Sequence, residues 1–181
     1  MIEDLISKLH STPEVLALND VFYSNPFHSE PTVYSHTLLV ERNLKDVLKA
    51  KVPHMLNTIG RFKRNDLLWI CAVLHDVGKG MHYFEEGRLI PVVKKNKAGD
   101  STAPGHALIG SDLAYDIVLS AGLDREEAEY VGYIVEHHMD LYTLYNSLLK
   151  SQHQETDLKA VRADLGVNFL DLAILSFADL K

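Results

Sequence analysis

The sequence predicts an all-α fold, on three observations. Apolar residues recur three and four positions apart along several segments, as one face of a helix requires. The run from Leu67 to Leu74 is apolar all round, as a helix packed on every side would be. Capping residues bracket these segments, while the only strand signal is one marginal hairpin around Glu86-Gly87.

Taken in order, Ser24-Asn25-Pro26 and Ser29-Glu30-Pro31 punctuate an N-terminal segment of short helical turns. A helix starts near positions 29–32, with Pro31 suited to a first turn, and runs to about Ala50. Val33, Val40, Leu44, Val47 and Leu48 form its apolar stripe, and His36 lies on that stripe, facing inward. Asn65 and Asp66 are placed to cap the central helix. It ends in His75-Asp76-Val77-Gly78-Lys79, where Gly78 suits a left-handed cap. Positions 81–104 read as a loop that could rim a site. A helix then follows Pro104-Gly105, with His106 one turn before Gly110 on the same face, and Gly122 stops it. Asp124 with Glu127 forms a capping box for the next helix. Its inner face, Ala128, Val131 and Val135, progresses to His138, with Ile134 and His137 on the adjoining edge. The last helix spans about 168–180, and Leu172, Leu175 and Ser176 lead to Asp179.

At 181 residues with 46% apolar content, the chain is long enough for one domain with a full core. We expect a single domain over 1–181, with 1–30 as a helical extension and 31–181 as the core. A lone cysteine, Cys71, excludes a disulfide framework and thiolate metal sites. The acidic N-terminus lacks a basic segment followed by an apolar one, and no apolar run approaches the roughly 20 residues of a membrane span. A cytoplasmic protein without membrane partners is expected. The net charge of −7 argues against general nucleic-acid binding, and the local cluster Lys94-Lys95 with Lys97 reads as a solvated loop.

Ten histidines are present, and their placement matters more than their number. His36, His75-Asp76, His106, His137-His138 and Asp179 come from separate segments, each at the end of an inward stripe. A lone inward histidine is ordinarily a hydrogen-bonded core residue. That explanation must be invoked repeatedly here, and it leaves carboxylates buried beside the imidazoles. Buried charge persists when paired or bound to metal, and no lysine or arginine shares these stripes. Imidazole with carboxylate and no thiolate suits Fe, Mn, Co, Ni, Zn or Mg, with no choice among them. So many donors exceed the needs of one ion, and two ions about 3.5–4 Å apart fit better. His10, His28, His54, His82 and His153 lie in polar or loop contexts and read as surface residues; Arg61, Lys63 and Arg64 could reach phosphate or merely solubilise a loop.

His36, His75-Asp76 and the distal Asp179 resemble the H…HD…D signature of the HD superfamily of metal-dependent phosphohydrolases. The resemblance covers about positions 33–180 and implies an orthogonal helical bundle. His106 and His137-His138 resemble the two-metal subset, which includes cyclic-nucleotide phosphodiesterases. Gly-His-Ala-Leu-Ile-Gly, Val-Glu-His-His-Met and Phe-Ala-Asp-Leu also resemble the HD domain of bacterial tRNA nucleotidyltransferases, though no nucleotidyltransferase head precedes them. The resemblance implies His36, His75, Asp76 and Asp179 on a first metal. It implies Asp76 bridging to a second metal held by His106 and by His137, His138 or both. Asp164 is a rival for the last carboxylate, but it follows a polar helix and reads as a surface residue. Lys79 resembles the lysine that meets substrate phosphate.

The expected activity is hydrolysis of a phosphomonoester or phosphodiester, a nucleotide by preference, through metal-activated hydroxide attacking in line on phosphorus. The catalytic residues would be Asp76 and Lys79. A Gly-x-Ser-x-Gly elbow and a P-loop are both missing, so serine and NTPase chemistries lack support. Rival readings are a one-metal HD nucleotidase, a non-catalytic nucleotide or metal sensor, and an RNA-processing accessory domain.

Overall fold

The computed structural model describes residues 2–24, 30–50, 52–85, 88–148 and 154–180. The fold is all-α. Its helices are α1 (Ile2–His10), α2 (Pro13–Leu16), α3 (Val33–Leu48), α4 (Arg64–Leu74), α5 (His106–Ala121), α6 (Arg125–His137), α7 (Asp140–Leu148), α8 (Gln154–Leu165) and α9 (Phe169–Leu180). No helix among the described residues is long and apolar enough to cross a membrane.

Helix α4 is the axis of the molecule. Every residue from Ile70 to Lys79 is buried, and α1, α3, α6 and α9 all pack around it. Its sequence has no polar face to give to water, so enclosure is the arrangement that buries its whole apolar surface. The N-terminal helices belong to the same core, since Ile6, Leu9 and Val15 join the cluster that contains Leu67, Leu74, Val131 and Leu172. Helix α3 starts at Val33 behind a capping box of Thr32 and Ser35, and buries Val33, His36, Val40 and Leu44 as its pattern demands. Helix α6 has the expected box, with Glu127 N–H donating to Asp124 Oδ1 at 3.0 Å. Gly122 closes α5 at φ 101°, a conformation glycine adopts at no steric cost.

Three features differ from expectation. Helix α4 begins at Arg64, behind Lys63, rather than at an Asn65 or Asp66 cap. The reason is tertiary: Arg64 N–H donates to Asn57 O at 2.8 Å, and the buried guanidinium is locked onto Asp171. Gly78 is not left-handed; it lies in a 3-10 turn, Val77–Gly80. A glycine is needed there for close approach, because an added Cβ would lie 2.1 Å from His106 O and 2.8 Å from Gly110 N. Gly78→Ala should therefore push α5 away and destabilise the fold by about 3 kcal/mol. A urea unfolding curve unchanged within error would refute that.

The third difference is in the strands. Three antiparallel ribbons form rather than one hairpin: β1 (Thr58–Ile59) with β2 (Phe62–Lys63), β3 (His82–Glu85) with β4 (Arg88–Pro91), and β5 (Lys94–Lys95) with β6 (Ser101–Thr102). The expected hairpin is β3–β4, and its turn at 86–87 lies outside the described residues. The other two ladders are two residues long, too short for alternation to register in sequence. Ser101 ties the last ribbon to the N-terminal strap: Ser24 N–H donates to Ser101 Oγ at 2.9 Å.

Candidate metal centre

Helix ends converge at the centre of the fold. His75 and Asp76 follow the last turn of α4, His106 opens α5, His138 follows α6, Asp179 lies in the last turn of α9, and His36 sits in the first turns of α3. His36, His75, Asp76, His106 and His138 are all buried, and the Asp179 side chain is 18% exposed.

Asp76 divides the cluster. Its Oδ2 faces His75 Nε2 at 3.5 Å and His36 Nε2 at 4.0 Å. Its Oδ1 faces His106 Nε2 at 3.3 Å and His138 Nε2 at 3.8 Å. Asp179 Oδ1 completes the first side, 2.8 Å from His36 Nε2 and 3.8 Å from His75 Nε2. Two sets of donors close enough to hold an ion result, His36-His75-Asp76 and Asp76-His106-His138, with Asp76 in both.

Three of the four imidazoles are held by the same device. His75 Nδ1 lies 2.9 Å from Ala72 O, His106 Nδ1 2.7 Å from Ala103 O, and His138 Nδ1 2.7 Å from Val135 O. A carbonyl only accepts, so each Nδ1 carries the proton and each Nε2 presents a lone pair. His106 Nε2 and His138 Nε2 are 3.2 Å apart, so two lone pairs face each other across a gap with no proton assigned to it. Among the described residues, His75 Nε2 and Asp76 Oδ1 are buried with no hydrogen-bond partner. Buried polar atoms are rarely left so, and cations on the two sides of Asp76 would satisfy all four. The donor set therefore fits divalent metal.

The electrostatics keep His75, His138 and both carboxylates in their ligating forms, whereas His36 is raised, because burial is outweighed by its hydrogen bond to Asp179 and the charge of Asp76. Burial pushes His138 down to about 3, assisted by the neighbouring His75, and burial likewise lowers His75. Both are neutral imidazoles at neutral pH. Burial alone would raise Asp76, but Lys79, His75 and His106 outweigh it and hold the carboxylate well below its usual range. Burial opposes ionisation of Asp179 too, and the His36 hydrogen bond overrides it. Lys79 is buried and stays an ammonium: burial lowers it, and Asp76 Oδ2 at 2.6 Å more than compensates.

His137 is not brought to the cluster. Its ring is 29% exposed, stacks on Tyr133 and places Nδ1 2.7 Å from Asp140 Oδ2. One position along a helix rotates a side chain by about 100°, and here that turn carries His137 toward Asp140 while His138 faces Asp76. His138→Ala should lower metal content from two ions per chain to one and activity by about a hundredfold, while His137→Ala should leave the metal content unchanged and alter activity by less than about twofold. Equal losses in the two variants would contradict this placement.

Asp164 is exposed on α8, away from the donors. Two of the five histidines read as surface residues are instead paired with buried carboxylates: His10 Nε2 lies 2.7 Å from Glu41 Oε1, and His54 Nε2 lies 3.0 Å from Asp171 Oδ1. His82 is exposed, and His28 and His153 lie outside the described residues. Arg64 is neither a phosphate ligand nor a solubilising residue but the buried partner of Asp171. Arg61 is committed to Glu127 at 2.9 Å.

A cavity of about 480 Å³ opens over Asp76, Lys79, His106, His138 and Asp179. Its rim comes from the 94–104 stretch, as the sequence allowed, and also from Tyr23, Met139 and Tyr142, which sequence reasoning missed. Tyr23 places its ring 4.3 Å from Lys79 Nζ. Glu30, also missed, brings Oε2 within 3.7 Å of His36 Nδ1. No motif marks such residues, because they meet the site only through the tertiary fold.

A family model described as HD domain matches residues 33–173. The chain belongs to the HD-domain family. His36, His75, Asp76, His106 and His138 fall within the matched span of this HD domain, and Asp179 lies just beyond it. The chain is also similar to bifunctional uridylyltransferase/uridylyl-removing enzymes. It is 33% identical to that of Vibrio parahaemolyticus over 90 residues, covering 50% of this chain and 8% of the relative. Identity to the Vibrio campbellii enzyme is 28% over 112 residues, covering 60% and 10%. For Rhodospirillum rubrum it is 24% over 114 residues, covering 61% and 10%. The similar region thus spans about a tenth of these relatives.

Proposed function

We propose that this HD domain is a two-metal phosphohydrolase acting on a phosphomonoester or phosphodiester, a nucleotide by preference. The observation that carries the reading is the shared Asp76, with one oxygen toward each set of imidazoles. His36, His75 and Asp179 would hold one ion, His106 and His138 the other, and Asp76 both. When bound, such ions supply Lewis acidity and lower the pKa of water toward neutrality.

The chain's own residues do the rest. The carbonyls of Ala72, Ala103 and Val135 fix the tautomers of His75, His106 and His138, so these three rings already present Nε2 to a ligand. Lys79 stands beside Asp76 at the cavity floor, where its ammonium can offset charge developing on the equatorial phosphoryl oxygens. The lone thiol, Cys71, is buried and pushed well above its ordinary pKa by that burial, so it offers no nucleophile. The similarity to uridylyl-removing enzymes supports a nucleotidyl substrate, since removing a uridylyl group means breaking a phosphoester bond.

The test is hydrolysis of UMP and of thymidine 5′-monophosphate p-nitrophenyl ester by protein loaded in turn with Mn, Co and Ni. Chelator-sensitive turnover with at least one metal is expected. Nucleotide binding without turnover under every metal would overturn the catalytic reading.

A further inference from the structure

Among the described residues, the cavity above the donors carries little positive charge. Lys79 is the one lysine or arginine among its described lining residues, and its ammonium is already engaged by Asp76 Oδ2 at 2.6 Å. The other described polar residues of the lining are neutral or acidic, among them Asn96, Ser101, Thr102, Ser176 and the half-buried Asp100. Asn96 and Asp100 are fixed by their own loop: the backbone N–H groups of Ala98 and Asp100 donate to Asn96 Oδ1 at 2.8 and 2.9 Å. Lys95, the nearest rim lysine in sequence, donates to Ser101 Oγ at 2.9 Å and does not line the cavity. Apolar and aromatic lining comes from Ala103, Pro104, Met139, Tyr142 and Leu180.

Phosphate-rich ligands are met in proteins by clusters of arginine, lysine and backbone amides, because each anionic group needs its own compensation. Here compensation for only one phosphoryl group is built, at the donors and Lys79. Among the described lining residues no further lysine or arginine would receive a second or third phosphate, and the chain carries a net charge of −7. The volume, about 480 Å³, lies in the range of about 300–1,000 Å³ typical of small-molecule sites, and aromatic and apolar walls are what a flat ring packs against.

We propose that this cavity selects esters bearing a single phosphoryl group and a flat, largely apolar body such as a nucleobase, and discriminates against nucleotides carrying two or three phosphates. The inference rests on the phosphohydrolase reading above but is separable from it.

The experiment compares UMP and thymidine 5′-monophosphate p-nitrophenyl ester with UDP and UTP, on Mn-loaded protein with metal in excess of nucleotide. A kcat/KM at least tenfold higher for the single-phosphoryl compounds is expected. Asp100→Lys, which places an ammonium on the rim, should shrink that preference several-fold. UDP or UTP cleaved as well as UMP would overturn the selectivity while leaving the phosphohydrolase reading intact. If nothing is cleaved, that reading fails, and calorimetric binding of UMP, UDP and UTP decides the selectivity alone. UMP binding as tightly as UTP or more tightly upholds it; UTP binding tighter overturns it.

Discussion

Asp76→Asn is expected to strip the centre of metal and cut phosphoester hydrolysis by about a thousandfold, equivalent to about 4 kcal/mol of barrier. The size follows from position. Among the described residues, Asp76 is the one whose two oxygens face both sets of imidazoles, so on the two-metal reading a single change would remove an anionic ligand from each ion. Asparagine keeps the shape but offers only one weaker oxygen donor and no charge. The change also leaves Lys79 buried without its anionic partner, so Asp76→Asn combined with Lys79→Met is the control that removes the stranded ammonium. Both variants should lack metal by elemental analysis, and the double variant should keep the helical circular dichroism of the parent. Full activity in Asp76→Asn would make the mechanism wrong as stated.

Asp171→Ala should carry the largest stability cost, about 3–5 kcal/mol. Asp171 is fully buried and accepts from Arg64 Nε at 2.9 Å and from Tyr130 Oη at 3.0 Å, with His54 Nε2 at 3.0 Å on its other oxygen. Arg64, buried under the start of α4, also donates to Asn168. Truncating the carboxylate leaves a largely buried guanidinium without its anion and with Asn168 as its remaining side-chain acceptor. Replacing both partners, Arg64→Met with Asp171→Leu, should recover most of the loss, because apolar groups of similar volume carry no desolvation penalty. Urea titrations of the single and double variants measure this. A single-variant loss below about 1 kcal/mol would show the pair to be better solvated than its burial implies.

How much of this was legible in the sequence depends on what kind of signal each residue leaves. The His75-Asp76 pair stands out because a helix as apolar as α4 cannot end on two polar groups by accident of surface exposure. His36, His106 and Asp179 could be placed by helical spacing alone, since each continues an apolar stripe. Spacing also put His138 in line with Ala128, Val131 and Val135, yet it could not remove His137, whose edge position the fold turns toward Asp140.

Asp171 left a signal that went unread. It shares a helix face with Leu175 and Ala178, both buried, as surely as Asp179 follows Leu172. Its partner Arg64 precedes the apolar run and so escaped notice as a buried cation. Gly78 read as a turn residue, because one sequence cannot distinguish a glycine required by φ from one required by a neighbour's backbone. The cavity walls were invisible for the same reason. Tyr23, Met139 and Tyr142 gain their roles only when the N-terminal strap and α7 are laid over the donors.

On the two-metal reading, Asp76 joins two ions into one centre. Elemental analysis of protein loaded with saturating Mn and then desalted counts the ions directly. The geometry predicts two per chain, falling to one in His138→Ala. One ion or none in the parent protein would contradict it.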